Sequence, residues 1–236
     1  MNNTGDSIKA DNANWRFDGG VSKTFNEHVQ RSIPFYTTSH DLIVKISDFF
    51  LSEGSNCYDI GCSTGTLLDK LAKHHSPKKI TFIGVDNQPE MLQKAASLCK
   101  EHEQIAFQQA DLVDIEWEKA DLIIAHYTLQ FIKPKNRQLV FNRIFEALNW
   151  GGGFLLFEKV RAADARFQDM MGAIYTDYKL DQNYQPEEIV AKARSLKGVL
   201  EPFSTQGNYD LLQRAGFIDM MTVMKYVSFE GILAIK

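Results

Sequence analysis

The chain has 236 residues, 44% hydrophobic and 24% charged, with a formal net charge of −4 and a sequence pI near 5.9. That size and mix suit one large domain with a sizeable core, and an acidic balance without any Lys/Arg block argues against a stably bound nucleic acid. Three cysteines (Cys57, Cys62, Cys99) with no C-x-x-C pair argue against a disulfide frame or a metal site, and the polar start "MNNTGDSIKADNANW" lacks a signal-peptide core, so a cytoplasmic chain with no membrane partner is expected.

In chain order, residues 1–14 show no apolar period and are expected to be mobile, with 15–236 forming a single domain. Pro34 breaks any helix in "WRFDGGVSKTFNEHVQRSIPFY", and "SHDLIVKISDFFLSEG" has a helical period at 42, 43, 46, 49 and 50. Apolar runs then alternate with amphipathic segments. "NCYDIG", "KITFIGVD", "QIAFQQAD", "ADLIIAHY" and "GGFLLFEKV" read as strands. "TGTLLDKLAKHH" and "QPEMLQKAASLCKEH" read as helices, and "PKNRQLVFNRIFEALNWGG" as helix and loop. This alternation implies a parallel sheet with helices on both faces. From Ala162 to about Gly198 the pattern is helical, "YDLLQRAGF" is a short helix, and "IDMMTVMKYVSFEGILAIK" reads as an antiparallel hairpin turning near Ser228–Gly231. The segment 162–200 is expected to cover the pocket.

The stretch "CYDIGCSTGTLLDKL" carries the chemistry. Gly61 allows a sharp turn and Gly65 a close approach. Ser63 and Thr66 stand where a G-x-G-x-x-G loop has its later glycines, and no G-K-[ST] follows, so a pyrophosphate or a P-loop phosphate has no cradle. A ligand without phosphates makes no such demand. Asp86, ending "FIGVD", can accept from both ribose hydroxyls, and Asp111, after "QQA", can meet an adenine amino group. With Asp59, Gly61 and Gly65 they describe an adenosine site lacking pyrophosphate. Each alone has a bland reading, since a glycine after a strand is usually just a turn and an aspartate there is often a helix cap.

These residues resemble the motifs of class I S-adenosylmethionine-dependent methyltransferases, and among them the carboxy-S-adenosylmethionine synthase subgroup. The similarity rests on Phe17, Asp18, Val21, Phe25, Val29 and "RSIPFY", then on "YDIGCS", "DNQPEM", "TLQF" (Thr128 to Phe131), "ARSLKGVLEP" and "RAGF". The resemblance implies an α/β fold with a doubly wound, mostly parallel seven-stranded sheet and a C-terminal antiparallel hairpin. It implies S-adenosyl-L-methionine, or its carboxylated form, lined by Tyr36, Gly61, Cys62, Ser63, Asp86, Asn87, Asp111 and Leu112, with Arg194 pairing the extra carboxylate. It also implies a homodimer acting on a small molecule: S-adenosylmethionine and prephenate give carboxy-S-adenosylmethionine and phenylpyruvate, and a separate enzyme uses the product on a tRNA wobble uridine.

Three positions depart from that pattern. His126 stands for asparagine, Lys197-Gly198 for Glu-Asn, and Asn208 for histidine. His126 either takes over the asparagine's contact with the cofactor's methionine tail or serves as a general base, its ordinary pKa being roughly 6.5. An ordinary methyltransferase of a small acceptor, with His126 as base or orienter, and a non-catalytic cofactor-binding module with residues 49–51 as interface are the alternatives. His74 and His75 read as helix-end residues, and Glu158 and Lys159 either face the pocket or pair with each other.

Overall fold

The computed structural model describes residues 2–6, 8–17 and 21–236; Asp18 lies outside the described residues. Two helices precede the sheet, α1 (Val21–Ser32) and α2 (Tyr36–Ser47), with Pro34 between them. The alternation follows: β1 (Asn56–Ile60), α3 (Thr66–His74), β2 (Thr81–Asp86), α4 (Pro89–Leu98), β3 (Ile105–Gln109), β4 (Ala120–His126), α5 (Pro134–Ala147) and β5 (Leu148–Lys159). Helices α6 (Ala165–Asp181), α7 (Pro186–Ser195) and α8 (Thr205–Ala215) lead into the hairpin β6 (Asp219–Tyr226) and β7 (Phe229–Ile235).

The strand order is β3-β2-β1-β4-β5-β7-β6. β1 pairs parallel with β2 on one side and β4 on the other, and β7 runs antiparallel between β5 and β6. Alternate residues feed opposite faces. Ile123 and Ala125 of β4 join Val140, Phe141 and Ile144 of α5 and Leu211 and Leu212 of α8. Leu122 and Ile124 join Ile43 of α2 and Leu67, Leu68 and Leu71 of α3. Both faces are covered, which is why the strands read as nearly continuous apolar runs.

Three boundaries differ from the pattern. Leu148 starts β5 directly after α5, so "NWGG" belongs to a bulged strand rather than a loop; Gly151, at φ 78°, supplies the bend. The hairpin turns at Val227–Ser228, and Gly231 lies inside β7, where a Cβ would come within 2.5 Å of the Phe157 ring. Helix α8 begins at Thr205, earlier than "YDLLQ" suggested, because the Ser204 side chain caps it by accepting from Gly207 N at 3.1 Å.

The segment before α1 packs on the domain. Asn2–Asn3 pairs with Lys9–Ala10, and Ile8, Ala10 and Trp15 are buried with Val21, Phe25, Val29 and Met91. Of residues 49–51, Phe49 is 85% exposed, whereas Leu51 is buried and Phe50 packs on Gly153. No described helix is long and apolar enough to cross a membrane.

The glycine of the first turn has a packing reason. Gly65 caps α3 at φ 77°, and a Cβ there would lie 2.9 Å from the Ala95 Cβ of α4. Gly65→Ala is expected to destabilise the fold by about 1–3 kcal/mol through strain and overpacking. Gly172→Ala, in open space within α6, is expected to stabilise by roughly 0.5–1 kcal/mol. Urea unfolding of the two variants checks both signs.

Candidate functional site

Order in the sheet reverses between β1 and β4, and a crevice opens at the carboxyl ends of the strands there. The cavity has a volume of about 1150 Å³. Its floor is the β1–α3 turn and the ends of β2 and β4; its walls come from residues 15–17, α1, α2, α6 and α7. Two non-glycine residues with left-handed backbone line it: Ser63 (φ 50°) in the turn and Tyr127 (φ 59°) after β4. Side chains resist that region, so two such residues on one cavity mark a site where packing holds strain.

Most expected residues come together here. Tyr36, Gly61, Cys62, Ser63, Asp86 and Asn87 line the cavity, and so do Asp111, Leu112 and His126. Two do not. Gly65 is turned toward α4, so its missing side chain serves helix packing rather than approach to a ligand. Arg194 is exposed on the outer side of α7, in a shallow groove with Asn3, Glu187 and Glu188, and in this chain it does not reach the cavity. The helix phase decides this, because the inward positions on α7 go to Ile189, Lys192 and Ser195.

The acids collect at one end. Asp86 Oδ2 accepts from Ser63 N at 2.9 Å and Oδ1 from Gln88 N at 2.9 Å, so the turn and the start of α4 hold the carboxylate rigid. Burial raises its pKa and those backbone bonds oppose the rise. Asp59, buried on β1, makes no hydrogen bond with a described residue; burial and then Asp86 push it to about 7. Asp111 accepts from Val113 N at 2.9 Å and is exposed. The Cys62 thiol is held well above its ordinary value by burial, which makes it a poor nucleophile.

His126 sits at the end of β4 among aromatic rings, 4.9 Å from Tyr36 and 4.7 Å from His40 between centroids. Its Nε2 lies 2.8 Å from Ser39 Oγ, whose hydroxyl donates to the Tyr36 carbonyl at 2.7 Å. Both contacts are satisfied when Nε2 carries the proton, which leaves Nδ1 as an acceptor. Burial first, then His40, hold its pKa well below the ordinary value, so the ring is neutral. A base so weak takes few protons from an acceptor hydroxyl. The geometry therefore favours the orienting role over the base.

Sequence reasoning missed the polar bracket behind this end. Gln130, inside "TLQF", donates its backbone N–H to Glu158 Oε1 at 3.1 Å, and its side-chain oxygen accepts from Lys159 N at 2.9 Å. It ties the end of β4 to the end of β5. Glu158, driven to about 8 by burial against a smaller opposing pull from Arg137, turns to Gln130; Lys159, the next residue, faces the cavity. The two do not pair, because neighbours on a strand point to opposite faces. The signal available was a pair of polar residues in otherwise apolar strand ends. Far from the cavity, His74 Nε2 meets Asp48 at 2.9 Å while His75 Nε2 is bonded to Ser47 Oγ at 2.8 Å, at the far ends of α2 and α3.

The cavity's acceptors fit S-adenosyl-L-methionine: a rigid carboxylate for a diol, and an unpartnered carboxyl and a neutral imidazole for a cation, with no phosphate cradle. Comparison with known proteins agrees. Residues 58–152 match the family profile described as "Methyltransferase domain". The chain is 36% identical over 223 residues to a carboxy-S-adenosyl-L-methionine synthase of Staphylococcus epidermidis, covering 94% of this chain and 97% of that one. It is 35% identical over 233 residues to the protein of that name from Sulfurimonas denitrificans, covering 97% of each. Among solved structures, an O-methyltransferase family protein from Burkholderia thailandensis superposes with a TM-score of 0.65 at 16% identity, over 91% of this chain and 59% of that one. The S-adenosylmethionine-dependent methyltransferase SibL does so with a TM-score of 0.58 at 15% identity, over 86% and 55%. At such identities these two show the fold.

The buried imidazoles set a pH response. Burial lowers His28 and His40 to about 4 each, with Lys192 and Lys70 the next causes, and burial, then His40, holds His126 well below its ordinary value. Unfolded histidines titrate near pH 6.5. Their contribution to stability is complete above about that pH and drains as the pH falls, because the unfolded chain binds protons that the folded one refuses. His126→Asn removes one such proton. Between about pH 6.5 and 4.5 the variant is expected to lose stability less steeply, by up to about 1.4 kcal/mol per pH unit, in urea unfolding at a series of pH values.

Proposed function

Because the chain belongs to the carboxy-S-adenosyl-L-methionine synthase family, we propose that it carboxylates S-adenosyl-L-methionine with prephenate as the carboxyl source, releasing phenylpyruvate. The single observation that carries this is the near-full-length likeness to the named synthases, joined to a cavity whose acceptors suit an adenosyl sulfonium. The overall reaction balances without an oxidant. Prephenate gives up its ring carboxyl and its ring hydroxyl and becomes aromatic. The carboxyl joins the methyl carbon, and the hydrogen displaced from that carbon leaves with the hydroxyl as water.

When bound, S-adenosyl-L-methionine supplies a methyl carbon activated by its sulfonium. The chain's residues bind, orient and exclude. Asp86 accepts from the ribose hydroxyls, with Gly61, Ser63 and Asn87 around the sugar and Asp111 and Leu112 beside the base. Asp59 and the free Nδ1 of His126 accept from the ammonium of the methionine tail. The rings of Tyr36 and Tyr127, whose centroids stand 6.4 Å apart, give a sulfonium aromatic surroundings. Phe17 and Phe131, edge to face at 4.9 Å, form a wall against water. Residues 162–200 contribute the covering side, and Arg194 has no part in this arrangement within one chain. The reading carries with it a homodimer in the cytoplasm whose product feeds a separate tRNA-modifying enzyme.

Incubation with S-adenosyl-L-methionine and prephenate is expected to add one carboxyl group to the cofactor, read by mass spectrometry. Folded, cofactor-loaded protein that returns S-adenosyl-L-methionine unchanged would refute the reaction; release of S-adenosylhomocysteine with another acceptor would point to the ordinary methyltransferase instead. Asp86→Ala is expected to weaken S-adenosyl-L-methionine binding by about 1.5–3 kcal/mol, the worth of hydrogen bonds to a charged group, in calorimetric titration.

A further inference from the structure

The end of the cavity away from the acids is cationic. Lys159, at the end of β5, and Lys179, on α6, both line it. Their Nζ atoms lie 4.1 and 4.5 Å from the centroid of the Tyr175 ring. Among the described residues neither amine makes a hydrogen bond or an ion pair. Behind them Lys192 donates to His28 Nε2 at 2.5 Å and Ser32 Oγ at 2.8 Å, both neutral acceptors. The one carboxylate of this group, Asp6, is already engaged by Arg31, His28 and Tyr184. Glu158, next to Lys159 in sequence, is turned across the sheet to Gln130.

Amines largely withdrawn from water with only an aromatic face for company are costly while charged. Burial, with Lys179 next, lowers Lys159 to about 7, and burial lowers Lys179 to about 8. An arriving anion removes that penalty and keeps both protonated. Place matters equally. From Asp86 on β2 to Lys159 on β5 the order is β2-β1-β4-β5, three strand spacings, or about 14 Å. Lys159 therefore lies beyond β4 and His126 as seen from Asp86, and Lys179 joins it over the Tyr175 ring. Tyr175 and Phe229, 5.2 Å apart between centroids, add apolar ring surface beside the amines.

We propose that Lys159 and Lys179 form an anion subsite that holds a carboxylate of the second substrate, a small ring-bearing acid, against Tyr175 and Phe229. The identity of that substrate as the carboxyl donor rests on the reading given under Proposed function; the subsite itself rests on the two unpartnered amines and the cavity.

The test is calorimetric titration of the full chain, saturated with S-adenosyl-L-methionine, with prephenate and with phenylpyruvate. Lys159→Met and Lys179→Met keep the stems and remove the charges. Each is expected to weaken binding of both acids tenfold or more. Affinity for S-adenosyl-L-methionine should stay within twofold, and the thermal midpoint should not fall, since an uncompensated buried charge has been removed. Wild-type protein that binds neither acid, Met variants that bind them as tightly as wild type, or a parallel loss of S-adenosyl-L-methionine affinity would each overturn the subsite. The mass readout of carboxyl transfer is scored separately. Transfer with undiminished acid binding in the Met variants sinks the subsite and leaves the reaction; acid binding that depends on the lysines without transfer sinks the reaction and leaves the subsite.

Discussion

The whole arrangement depends on β1 pairing in parallel with two neighbours at once. The connection from β1 to β2 runs through α3 on one face of the sheet and that from β4 to β5 through α5 on the other, so a crevice opens above the ends of β1 and β4. Every feature of the site is a response to that gap. Backbone must turn sharply at its edge, which is where Ser63 and Tyr127 take left-handed conformations. Polar groups that a closed core would exclude point into it.

Those polar groups are sorted by charge. Carboxyls gather over β1 and β2, amines over β5 and α6, and a neutral imidazole stands between them. Asp59, Lys159 and Lys179 have no hydrogen-bond or ion-pair partner among the described residues, whereas backbone N–H groups hold Asp86 and Asp111. A cavity so divided is expensive for the free protein and pre-organised for two reactants of different sign, because a ligand's charge replaces solvation that the fold has already given up. Gln130 keeps the two halves in register: its side-chain amide donates to the Tyr127 carbonyl just past β4, and it bonds to Glu158 and Lys159 at the end of β5.

How much of this was legible depended on whether the decisive force was local. Strands β1, β2, β4 and β5 were readable because burial on both faces writes nearly continuous apolar runs, whereas the edge strand β3 is half exposed. Asp86 was readable because its place at a strand end is fixed by the run before it. Gly65 was visible as a glycine but not as a packing residue, since Ala95 meets it from another helix. Arg194 was singled out by motif alone, and the phase of α7 that turns it outward is set by Ile189 and Lys192 packing inward. Lys159 and Lys179 are twenty residues apart in the chain and share only the Tyr175 ring, a meeting that no periodicity announces. His126 was visible at its strand end, but its neutrality comes from burial and then from His40, on a helix that precedes the sheet.

The hairpin has a consequence for biosynthesis. β7 occupies an interior place between β5 and β6 although it follows both of them in the chain. While a nascent chain is emerging from the ribosome, β5 presents an open edge and β6 has nothing to join it, until residues 229–235 clear the exit tunnel and slot between them. Vectorial synthesis thus delivers the keystone of this sheet after both of its neighbours, and the unpaired edge of β5, rich in Phe and Leu, is the surface that a waiting chaperone would have to shield.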